Sequence, residues 1–151
     1  MKNLVFLITG IVVTLLFLVL SYSQNSNIFE MMYFNQGFND QLYNMSLYPT
    51  VAYVITGMAW GGAAVYYYAI NSVNFDRWYH WLGVLACVTL VTPIVCYAVI
   101  SSTLRGAGLD YPSETTHFVM TLSVMTALLF TVASLAMRWW STNCRHTPFP
   151  Q

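Results

Sequence analysis

Four stretches of the chain are apolar from end to end: Leu4–Tyr22, Val51–Ile70, Trp81–Ser101 and Phe118–Met137. None contains Asp, Glu, Lys or Arg. A helix needs about 20 residues to cross the roughly 30 Å hydrocarbon core of a bilayer, and each stretch has that length. The stretches are apolar on every face rather than along one stripe, as helices surrounded by lipid are. They do not alternate with period two, which argues against a β-barrel. The pattern predicts an all-α chain: an integral membrane four-helix bundle, a single membrane domain over residues 1–151.

The segments between these stretches have patterns of their own. In residues 24–49, Ile28, Met31, Met32, Phe34, Phe38, Leu42 and Met45 recur every three to four positions, with Asn35, Asn39, Asp40, Asn44 and Ser46 among the rest. That is a helical period, and it predicts an amphipathic helix lying in the outer interface and broken at Gly37. Pro49 suits the start of the second span. The helix caps the bundle, and Met31, Met32, Phe34 and Phe38 also form a Met- and Phe-rich surface on which another subunit or a lipid-like ligand could dock. Residues 71–77 make a short turn, so spans two and three form an antiparallel hairpin. In Thr103–Thr116, Gly106 and Gly108 allow a bend, and Pro112-Ser113-Glu114 reads as a helix start with Ser113 as N-cap. Arg105, Asp110, Glu114 and His117 gather there; capping with water contact explains them, and an outer polar site is the alternative. The tail, residues 141–151, is short and polar.

Composition sharpens the class. Charged residues are 7% of the 151, hydrophobic residues 58% and aromatics 17%, and the formal net charge is zero. An ordinary soluble domain carries about 25% charged residues, so a soluble enzyme is excluded. A nucleic-acid binder would need a basic stripe that is absent here. Lys2, Arg77, Arg138 and Arg145 fall on one side of the spans and only Arg105 on the other. That bias puts both termini in the cytoplasm, with a bacterial inner membrane as the setting. Trp78, Tyr79, Trp81, Trp139 and Trp140, with Tyr66, Tyr67 and Tyr68, mark the inner headgroup layer. Tyr22, Tyr48, Tyr53, Tyr97 and Tyr111 mark the outer one. The first span also admits a second reading as a signal peptide cleaved after Ser23, although its apolar stretch is longer than usual for one.

Candidate chemistry is sparse. His80 and His117 lie at opposite ends of their spans and cannot share a metal or haem within one chain. Cys87 and Cys96 lie nine residues apart on one helix, too far for a disulfide, and no CxxC pair exists. No span core holds a charge that could couple ion movement. The cores do hold hydroxyls, and span four is the richest in them, so it should face protein. Pro93 should bend span three beside Thr89 and Thr92, and with Thr126 these residues could line a small cavity. The clearest packing signal is Gly57-Met58-Ala59-Trp60-Gly61, extended by Gly62, Ala63 and Ala64, small residues that let another helix approach closely. That helix could belong to this chain or to another subunit.

The expected function is a non-enzymatic membrane subunit that anchors or scaffolds a larger envelope complex, such as a secretion apparatus or a respiratory-type assembly. No cofactor is expected. Its partners are membrane lipid and other membrane subunits or a second copy of itself, and not nucleic acid. Two alternatives stay open: a small oligomeric channel or transporter using Thr89, Thr92, Pro93 and the span-four hydroxyls, and a quinone- or haem-associated oxidoreductase subunit using His80 or His117.

Overall fold

The computed structural model describes residues 2–23, 27–70 and 77–141, with backbone alone for residues 2, 3 and 140. Every regular element among them is helical. The order is α1 (Lys2–Tyr22), α2 (Ile28–Met32), α3 (Gln36–Asn44), α4 (Leu47–Ala64), a π-helical segment (Val65–Ile70), α5 (Trp78–Gly106), α6 (Pro112–Met137) and a closing 3-10 turn (Arg138–Trp140). Three helices are long and apolar enough to cross a membrane: Leu4–Tyr22, Trp78–Gly106 and Pro112–Met137. The second apolar stretch of the sequence is not among them. Its α-helical part has 18 residues and is diluted by Tyr48, Thr50, Tyr53, Thr56, Trp60 and three glycines. Large apolar side chains cover the outside of α1, α5 and α6, including Leu4, Ile8, Leu15, Leu90, Ile94, Met120 and Leu128. A soluble surface rarely carries such a continuous apolar band, and the band is consistent with a membrane protein.

The four long helices alternate in direction. At one end Arg138 lies over the Phe6 ring and Tyr68 bonds the Met137 carbonyl, so the start of α1, the π segment and the end of α6 meet there. At the other end, Phe29 in α2 touches Phe17 of α1, Tyr48 of α4 and Phe118 of α6. Helix α6 is in contact with α1, α4 and α5. Of the three membrane-length helices it is the most enclosed: 44% of its apolar window is buried, against 22% for α1 and for α5. Its hydroxyl-rich sequence thus faces protein. Helix α1 is peripheral and turns in only one stripe, Gly10, Thr14, Phe17 and Ser21, spaced three to four residues apart.

Several boundaries differ from the sequence reading. The single interfacial helix broken at Gly37 is instead two short helices, and the break falls at Tyr33-Phe34-Asn35. Asparagine side chains decide this. Asn27 Oδ1 accepts from the Phe29 N–H at 3.0 Å, and Asn35 Oδ1 accepts from the Phe38 N–H at 3.3 Å, starting a helix at each site. Gly37 lies inside the first turn of α3. The second stretch begins its helix earlier, at Leu47, and leaves α-helical geometry at Val65. In α6 the cap is Tyr111 rather than Ser113, because Pro112 occupies the first helical position, where its fixed φ and missing N–H cost nothing. Helix α5 runs unbroken through Pro93. The turn over 71–76 and the tail beyond Ser141 lie outside the described residues.

Candidate functional site

The glycines of the second stretch divide into two faces. A Cβ on Gly62 would come within 2.5 Å of Val88 Cγ2 and 3.4 Å of Phe130 Cε2, so Gly62 is where α4 meets α5 and α6 closely. Ala59 and Ala63 beside it are fully buried, and Ala64 is half-buried. Gly10 makes the corresponding contact for α1, where an added Cβ would stand 2.7 Å from Ala136 Cβ. Gly57 and Gly61 do the opposite: among the described residues, nothing lies within 4 Å of a Cβ on either. They sit on an outward stripe, Tyr53, Gly57, Gly61, Val65 and Tyr68, that runs the length of the helix and is exposed throughout. Among the described residues the GxxxG pair therefore makes no close contact, and its neighbour Gly62 carries the internal one.

Indole and phenol groups tie the helices together. Trp60 Nε1 donates to Thr14 Oγ1 at 3.0 Å, and Thr14 in turn donates to the Gly10 carbonyl. Trp81 Nε1 donates to Ser134 Oγ at 3.1 Å. These bonds link α1 to α4 and α5 to α6, and they satisfy N–H groups that would otherwise be stranded in an apolar setting. The sequence reading placed Trp81 in an interfacial belt. It is buried against Phe130 instead, while Trp78 and Tyr79 are the exposed members. Tyr66 and Tyr67, also assigned to that belt, are fully buried edge to face in the π segment.

The hydroxyls proposed to line a cavity are turned onto their own helices. Thr89 donates to the Leu85 carbonyl, Thr92 to Val88 and Thr126 to Leu122, all at 2.7–2.8 Å. Thr92, Pro93 and Thr126 are buried. The cavities described here have other linings. The largest, about 470 Å³, is an apolar groove between α4 and α5 that Tyr66, Tyr79, His80, Gly83 and Cys87 help to line.

The surface expected on residues 24–49 is also divided. Phe38 is fully buried against Tyr33, Tyr111 and Phe118, so it seals the bundle end together with Phe29. Met31 and Phe34 face outward, 81% and 72% exposed, and Met32 is half-buried. Tyr48 belongs to the seal, its ring stacked on Phe29. Burial, with the charges of Glu30 and Asp40 adding to it, pushes the Tyr48 phenol well above its usual value, so it stays protonated.

His117 is exposed and stacks on Tyr33, at the end away from His80. Cys96 is buried and Cys87 exposed, and both are free thiols. Among the described residues no cluster of His, Cys, Asp and Glu could hold a metal ion. The sequence reading missed Gly10, Trp60 and Phe29. Its available clue was the small-and-polar stripe of α1, which stands out in a helix otherwise made of Leu, Val and Ile. No protein-family model matches the chain, and no curated protein or solved structure is significantly similar to it.

Proposed function

We propose that this chain is a non-enzymatic integral membrane subunit, a four-span bundle that anchors or scaffolds a larger envelope complex by seating a transmembrane helix of another subunit on α4. The observation that carries this reading is the empty Gly57–Gly61 face. The chain meets its own packing needs through Gly10, Gly62, Ala59 and Ala63, and still presents a second small-residue stripe outward. In lipid, where apolar burial alone gives no net attraction between helices, close approach over small residues is a main source of association. The flanking Tyr53 and Tyr68 give the stripe amphipathic ends. On the basic-residue bias, the chain would lie in a bacterial inner membrane with both termini in the cytoplasm.

A photoreactive residue placed at Gly61 in whole cells tests the reading. It should form an adduct with one membrane polypeptide in high yield, whereas the same probe at Leu90, on the lipid-facing side of α5, should give lipid adducts. Equal, diffuse labelling from both positions would refute the proposal.

A further inference from the structure

The groove between α4 and α5 has a shape and a charged rim that helix packing leaves unused. Its floor includes Tyr66 and Val88, both buried, and its wall is almost wholly apolar. Small residues keep it open. A Cβ on Gly83 would meet nothing within 4 Å among the described residues, and Cys87, one helical turn further on, is exposed. The groove is accessible from the side, since Val65, Tyr79, Gly83 and Cys87 are all exposed.

Its length limits what can occupy it. The lining on α5 runs from Tyr79 to Val88, about 13 Å along the helix axis. That is close to half of a hydrocarbon core of roughly 30 Å, the depth of one leaflet. A transmembrane helix seated here would need a groove about twice as long, whereas the acyl chains of one lipid end at the midplane. Exposed Trp78 and Tyr79 place the mouth in the headgroup layer.

Charge selects the headgroup. Arg77 is exposed, and its guanidinium lies 5.9 Å from the centre of the Tyr79 ring. Its carbonyl accepts from the His80 N–H at 3.0 Å. Tyr79 and His80 both line the groove, so the arginine is fixed at the rim by two of the residues that shape it. Lys2 and Arg138 belong to the same end, where α1 starts and α6 finishes, but Arg138 rests on Phe6 and Trp139. Glu30, Asp40, Asp110 and Glu114 belong to the opposite end, and Asp76 is the only acidic residue of the sequence on this side. An exposed guanidinium at headgroup depth pairs with phosphate oxygens and leaves the lipid's chains to enter the groove. The excess of cations favours a lipid of net negative charge over a zwitterionic one.

We propose that this groove holds an anionic membrane phospholipid, with its phosphate on Arg77 and an acyl chain along Gly83 and Cys87. The proposal rests on the membrane reading of the chain but not on the Gly57–Gly61 face, so it stands whether or not a second subunit is seated there.

The test places the full-length protein in nanodiscs of equal phosphatidylglycerol and phosphatidylethanolamine and reads the retained lipids by native mass spectrometry. The wild type should keep phosphatidylglycerol in preference to phosphatidylethanolamine. Arg77→Gln should reduce the retained phosphatidylglycerol about tenfold. Gly83→Leu should do the same by filling the groove, and its fold should hold, because the side chain enters open space and leucine is the better helix former. Gly61→Ile should leave retention unchanged, so that loss of a partner subunit and loss of the lipid are read separately. Equal retention of the two lipids, a quinone carried through purification in place of phospholipid, or wild-type retention in either groove variant would overturn the proposal.

Discussion

Two tryptophans show how single side chains hold this molecule together. Each indole N–H must find an acceptor, and in an apolar surrounding water is not available to supply one. Trp60 finds Thr14 and Trp81 finds Ser134, each on a neighbouring helix. Replacing Ser134 with Ala should strand the buried Trp81 N–H and destabilise the fold by about 1–2 kcal/mol. The double variant with Trp81→Phe should recover part of that loss, because the unpaired group is then gone. Unfolding in mixed micelles of the two single variants and the double variant measures the coupling, and strictly additive losses would deny the bond. From sequence, Trp81 reads as an interfacial aromatic, Trp60 as part of the GxxxG motif, and Thr14 and Ser134 as span hydroxyls. Only the pairing of facing helices reveals which hydroxyl meets which indole, and spacing along one helix does not encode that.

At the scale of elements, the short helices α2 and α3 are the least anticipated feature. Their period was legible, because apolar residues three to four apart make a helix of either length. The position of the break was not, because it is set by Asn27 and Asn35 capping new helix starts rather than by Gly37. The π segment left no readable signal either. Val65–Ile70 looks like the last turn of an apolar helix, and its geometry follows from burying Tyr66 and Tyr67 side by side. Helices α1, α5 and α6 were legible to within about six residues, since a bilayer-length apolar run has few alternatives, whereas the second stretch is helical but not among the membrane-length apolar helices. Phe29 is the pivot of the end seal, fully buried against rings from α1, α4 and α6. Phe29→Ala should cost about 3–5 kcal/mol, and amide exchange over 28–44 should accelerate well before that in the centre of α6. Uniform acceleration across the chain would show that the seal is not a separate unit.

For the whole molecule, the scarcity of charge leaves shape as the main carrier of function. The sequence shows a GxxxG, but Gly57, Gly61 and Gly62 are equivalent letters in it. Which of them packs inward depends on the rotation of α4 against α5 and α6, and that rotation is settled by the burial of Ala59, Ala63 and Tyr66. The structure separates an inward glycine from two outward ones, and this separation makes the central claim testable with paired substitutions of the same size. Gly62→Ile should unfold the protein, because its side chain would collide with Val88 and Phe130. Gly61→Ile should leave the fold intact, because its side chain enters open space. The most direct measurement is purification of wild type and Gly61→Ile from native membranes in mild detergent, with the mass and composition of each particle determined. The account predicts a stoichiometric second membrane polypeptide or a second copy with the wild type, and a folded, solitary chain for Gly61→Ile. A solitary wild-type chain, or a partner that survives the substitution, would contradict it.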